Sequence, residues 1–126
     1  MEVVVVQPNL DPYTEEFVLS PYEIMERNLS VASTMMTDNT SFVISPESAI
    51  QEDIWIEHID RYYSVHELRK FINNYPNTCY VIGMSTLGLA PDDAADDFAA
   101  RKFVDADKYY YAYNTAALID KDSIQM

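Results

Sequence analysis

Four consecutive valines, Val3 to Val6, constrain the fold more than any other feature. β-Branched side chains are stiff at χ1 and crowd a helix, so such a run favours an extended strand. No polar residue alternates with the valines. The run therefore reads as a strand covered on both faces, as in a parallel sheet. Gln7-Pro8-Asn9-Leu10-Asp11-Pro12 follows as a loop, because two prolines block regular structure.

The 126 residues fit one small domain, 1–126, with a modest core. The net charge is −13, yet 48% of residues are hydrophobic, which excludes a disordered acidic tail. Lys and Arg are scattered, with no basic stripe, so nucleic acid is not an expected partner. Anionic membrane surfaces should repel the chain. No apolar run reaches the roughly 20 residues that span a bilayer, and no basic-then-apolar leader is visible. Cys79 is the only cysteine and has no disulfide partner within the chain. The two histidines are far apart and no zinc-ligand spacing occurs, so neither metal nor cofactor is expected. The acidic residues read as a solvated surface rather than a metal cage.

The first helix has a clear start. Ser20 suits the N-cap, Pro21 the first helical position, and Glu23 completes a capping box. Met25, Leu29, Ala32 and Met36 form a core stripe, widened by Ile24, Val31 and Met35. The helix should fade near Asp38-Asn39. Phe42 to Ser45 is the second strand, and Gln51 to Asp60 is a variable acidic segment carrying Ile54-Trp55-Ile56. A second capping box, Ser64-Val65-His66-Glu67, starts a helix with the stripe Val65, Leu68, Ile72 and Tyr75, closed by Pro76. Residues 79–84 are the third strand, in which Cys79 behaves as a small buried hydrophobe. Residues 87–108 read as a long surface excursion or a site lid. Residues 108–119 form a tyrosine-rich strand suited to two covered faces, and Asp120-Lys121-Asp122-Ser123 a hairpin turn. The predicted order is β-α-β-α-β-β, an α/β fold with a parallel core and a final antiparallel hairpin.

The main chemical signal is Phe42-Val43-Ile44-Ser45-Pro46-Glu47. Three large apolar residues make a buried strand, and Pro46 lacks the N–H to extend a ladder. Glu47 is thereby placed at the carboxyl end of a core strand, where open α/β sheets keep their ligands. There it is expected to be partly desolvated and suited to proton transfer. The bare pattern also admits a structural role, capping the turn that follows. Gln7 and Asn9 are expected near the same crevice or in loop hydrogen bonds. Ile54-Trp55-Ile56 reads as a lipid-touching lid, as a segment packed on the domain, or as one exposed because a neighbour is missing. Ile124-Gln125-Met126 should begin a further strand. The chain is therefore expected to be a piece of a longer protein, with an open sheet edge through which a dimer would form.

Val3 to Tyr13 resembles the opening of the carbon–nitrogen-hydrolase (nitrilase-like) domain of the apolipoprotein N-acyltransferase family. Phe17 to Ser20, Ser45 to Ile50, and Tyr113-Asn114-Thr115-Ala116 before an Ile-Asp turn follow in family order. The resemblance spans nearly the whole chain and departs mainly at 51–63 and 87–108. It implies the N-terminal part of an α-β-β-α sandwich, truncated in the middle of the sheet, and a Glu-Lys-Cys triad. Glu47 matches the triad glutamate, the general base that takes the thiol proton. The lysine, which helps to stabilise the oxyanion, would fall a few residues beyond Met126, and the cysteine much further on. Lys121 lies too early and reads as a solvated turn residue. Cys79 precedes the lysine region and is not the nucleophile.

The implied reaction moves an acyl chain from a phospholipid donor, through a cysteine thioester, to the α-amino group of a diacylglyceryl-cysteine lipoprotein. The implied location is the bacterial inner membrane, reached through parts outside this chain, with the catalytic domain facing the periplasm. The chain alone is expected to be inactive. The alternatives are a piece of a soluble nitrilase-like amidase and an acidic, flavodoxin-like interaction module. The Gln7-Pro8-Asn9 loop, in place of an acid cluster or phosphate loop, disfavours the second.

Overall fold

Strand β1 (Glu2–Val5) runs parallel to β2 (Thr40–Ile44), with helix α1 (Pro21–Ser33) between them in the chain. These elements come from a computed structural model that describes every residue except 12, 13, 15–17 and 48. Next come β3 (Ile50–Trp55), a 3-10 turn (Ile56–Arg61) and helix α2 (Tyr63–Ile72). The long strand β4 (Cys79–Leu89) lies parallel to both β2 and β3. Short β5 (Arg101–Lys102), long β6 (Tyr109–Ile119) and short β7 (Ile124–Gln125) complete a seven-stranded mixed sheet. The α/β class, the parallel start and the antiparallel hairpin agree with expectation. The element order does not, because β3 and β5 are additional.

The valine run is covered on one face only. Val4 and Val6 are 8% and 2% exposed, whereas Val3 and Val5 are 44% and 72% exposed. The ladder carries this alternation across the sheet. Val4, Val43, Tyr80 and Ile119 sit side by side in register, all buried, with Leu68 and Ile72 of α2 in the same core. Val5, Ile44, Val81 and Leu118 are in register on the opposite face, where Val5 and Ile44 are exposed. Composition within a strand cannot reveal whether a second layer is present, so the prediction of two covered faces failed here.

Helix α1 begins as predicted. Glu23 N–H donates to Ser20 Oγ at 3.3 Å, and Ser20 N–H donates to Glu23 Oε2 at 2.9 Å. It ends at Ser33, ahead of the expected Asp38-Asn39. Ser33 Oγ and Thr34 Oγ1 each donate to a carbonyl three residues back, at 2.7 Å, and such hydroxyl bonds compete with the helical ladder. Met35 lies beyond the helix end, and both it and Val31, inside the helix, are exposed rather than part of the core stripe.

The second capping box does not form. Helix α2 starts at Tyr63, with Tyr62 as a cap that makes no side-chain bond. Ser64 is instead inside the first turn and fully buried, and its N–H donates to Glu52 Oε2 at 3.0 Å. A carboxylate from the preceding strand thus does what the local motif promised to do. Strand β4 runs five residues past the predicted Met84. Residues 85–89 are held by pairing with β6, including Thr86 Oγ1 to Thr115 Oγ1 at 2.7 Å.

The excursion shortens to 90–108 and is largely exposed, with Phe98 and Val104 bare and Phe103 against the domain. Trp55 stacks on Phe103 at 5.7 Å and meets Tyr110 at 5.8 Å, which puts Trp55 against the domain, whereas Ile56 is 36% exposed. Ile54 itself is fully buried. Cys79 is only half-buried. Tyr109 to Tyr111 are half-buried and Tyr113 is 46% exposed, so β6 also lacks two covered faces.

Candidate functional site

Strands β2 and β3 lie along the same side of β4, as two segments of one interrupted strand. Ile44 pairs with Val81 and Ile50 with Met84, so this path takes six residues where β4 takes three. The surplus is taken up as a bulge between Ile44 and Ile50. Its cause is local. Ser45 N–H still donates to Val81 O at 2.9 Å, but Pro46 has no N–H to continue the ladder. Bulges commonly re-aim a side chain, and this one carries Glu47.

Glu47 borders two cavities. The first, of about 310 Å³, is lined by Ser45, Glu47 and Val81 to Ser85 on one side and Asn114 to Ala116 of β6 on the other. Asn114-Thr115-Ala116, part of the family resemblance, thus share a cavity with the proline–glutamate motif. The second, of about 240 Å³, includes Gln7, Asn9, Asn28, Pro46 and Glu47. Gln7 and Asn9 therefore do lie beside the glutamate. Asn9 adopts the left-handed conformation, φ 52°, which Asn tolerates better than most residues. Glu47 is exposed, so the partial desolvation expected of it is not present in this chain.

A buried hydroxyl pair anchors the bulge. Ser45 is 6% exposed, and its Oγ lies 2.7 Å from the hydroxyl of fully buried Tyr80. Burial pushes the Tyr80 phenol up to about 12, with the Ser45 bond opposing the shift. A raised folded value favours the protonated form. This stabilisation is complete below the ordinary value of 10.0 and lost as pH rises towards about 12. Tyr22 is also raised to about 12, chiefly by its hydrogen bond to Glu26, and shares the window. Tyr80→Phe should flatten the fall in stability between these values, read from denaturant midpoints across alkaline pH. Ser45→Ala should destabilise by about 1–3 kcal/mol at neutral pH, because it strands the Tyr80 hydroxyl.

Neither predicted non-participant enters the site. Lys121 sits in the β6–β7 turn, 3.9 Å from Asp122 Oδ2, and Cys79 pairs with Phe42 at the start of β4. Among the described residues, neither cavity is lined by Lys, Arg, His or Cys. No group of three or more His, Cys, Asp or Glu could hold a metal ion, again among the described residues. No described helix is long and apolar enough to cross a membrane. Sequence reasoning missed Tyr80, Ser85 and Asn28 as neighbours of the site, since each reaches it only through strand register or helix packing. Comparison with protein families, curated proteins and solved structures finds no match to this chain.

Proposed function

We propose that Glu47 is the general base of a nitrilase-like acyl-transfer centre. In this reading the chain is the N-terminal portion of the carbon–nitrogen-hydrolase domain of an apolipoprotein N-acyltransferase. That enzyme takes a fatty acyl chain from a phospholipid and passes it through a cysteine thioester to the N-terminal amine of a diacylglyceryl-cysteine lipoprotein. It sits in the bacterial inner membrane with this domain in the periplasm. The observation that carries the reading is the bulge between Ile44 and Ile50. It presents one carboxylate at the carboxyl end of a parallel strand, in a cavity shared with Asn114 and Thr115. The uncovered face with Val3, Val5 and Ile44 is consistent with one sheet of an α-β-β-α sandwich.

The chemistry follows from the residue type. A carboxylate beside a thiol takes its proton as the sulfur attacks the acyl carbonyl, and later returns one to the leaving group. The lysine and cysteine of such a triad would come from outside this chain, so residues 1–126 alone should be inactive. The test is to incubate the longer gene product with phospholipid bearing a labelled acyl chain. A protein-bound label released by neutral hydroxylamine is the expected thioester. Turnover of small amides without that label would instead favour an amidase, and neither activity would favour an interaction module.

A further inference from the structure

A third cavity, of about 380 Å³, lies on the bare face of the sheet, at the end away from the valine strand. Ser85 and Leu87 of β4 pair in register with Asn114 and Ala112 of β6, and Tyr110 pairs with Arg101 of β5. Strand alternation sets these side chains opposite buried Met84 and Thr86. Asp53 joins the lining from β3. Leu87 and Ala112 form an apolar floor between two polar ends, Ser85 with Asn114 and Tyr110 with Arg101. The stretch from Tyr110 to Asn114 spans roughly 13–14 Å of strand. Trp55 and Phe103 hold the Tyr110 ring, with centroids 5.8 and 4.9 Å away.

None of Asp53, Ser85, Arg101, Tyr110 and Asn114 makes a side-chain hydrogen bond or ion pair to another described residue. The hydroxyls of Tyr22, Tyr80 and Tyr111, by contrast, each meet another side chain. Among the described lining residues, Asp53 and Arg101 alone are formally charged, and their charges cancel. A simple anion or cation would face a like charge there, so a ligand without net charge fits best. Ionised Asp53 only accepts hydrogen bonds, Arg101 only donates, and the hydroxyls and the amide do both. Hydroxyls arranged around a ring match that set. We propose that this cavity binds a neutral carbohydrate of one or two pyranose rings. Its hydroxyls bridge Asp53 and Arg101, and its C–H face lies on Leu87 and Ala112 against the Tyr110 ring. The proposal goes beyond acyl transfer, since Glu47 does not line this cavity.

The chain is titrated at constant ionic strength with maltose and with the methyl glycosides of glucose, galactose, mannose and N-acetylglucosamine. Its backbone amides are followed by NMR. Glycerol and glycine are the controls for hydroxyl solvation and for a zwitterion. At least one sugar is expected to give saturable shifts at Leu87 and Ala112, and neither control is. Those two residues line this cavity and not the one beside Glu47, whereas Gly83 lines only the latter of the two. Asp53→Ala and Arg101→Ala, both at exposed positions, should each weaken the binding by about tenfold, with urea midpoints unchanged. The proposal is overturned by an absence of saturable shifts with every sugar up to roughly 0.1 M, or by shifts confined to Gly83. Equal shifts with glycerol, tighter binding of glycine, or unchanged affinity in both variants would overturn it as well.

Discussion

Replacing Glu47 with Gln is expected to slow acyl-thioester formation by about 10²–10⁴-fold in the protein that carries this chain, the usual contribution of a general base. The amide keeps the shape of the carboxylate and cannot accept the thiol proton. Glu47 is exposed, and no described residue donates a hydrogen bond to its carboxylate. The substitution should therefore shift folding stability by no more than about 0.5 kcal/mol. A slow variant of unchanged stability separates a chemical role from a structural one. Single-turnover labelling, with denaturant midpoints as the control, makes the measurement. Thioester formation at the parent rate would refute the assignment.

Ile54→Ala is expected to destabilise the chain by about 2–5 kcal/mol, a large share of the roughly 5–15 kcal/mol that holds a typical domain together. Ile54 is fully buried, pairs in register with Thr86, and belongs to the same core as Val65, Leu68 and Ile72. Truncation removes apolar contacts and leaves a cavity that the sheet cannot close. The exposed neighbour Asp53, changed to Ala, should stay within about 0.5 kcal/mol. If residues 51–60 were the variable acidic loop that their composition indicates, both substitutions would be equally mild. Urea midpoints of the two variants distinguish these cases, and a mild Ile54→Ala would remove β3 from the core.

The legibility of the sequence varied with the range of the interaction involved. The capping box at Ser20 and Glu23 is a three-residue device, and it formed as read. The similar motif at Ser64 and Glu67 did not, because Glu52, twelve residues earlier, bonds the Ser64 N–H and the helix begins one residue before Ser64. Strand β3 was missed because Gln51-Glu52-Asp53 breaks any period of two. The path there also carries two surplus residues, since Ile50 to Ile54 spans Met84 to Thr86. Strand β4 was read short because residues 85–89 gain their extended form from β6.

Within the site, the sequence alone singled out Glu47 as a candidate, with the proline that sets it apart, and offered Gln7 and Asn9 either as neighbours or as loop hydrogen-bonding residues. Those inferences depend on neighbouring residues and on the missing N–H of proline, so a linear reading suffices. Only the tertiary structure decided that the proline ends a ladder whose other half resumes at Ile50, turning a loop into a bulge. It alone brought Asn114 and Thr115 to the first cavity and Asn28 to the second. It also left one face of the valine strand bare. Register and layer packing couple residues tens of positions apart, and local propensity carries no record of such distant partners.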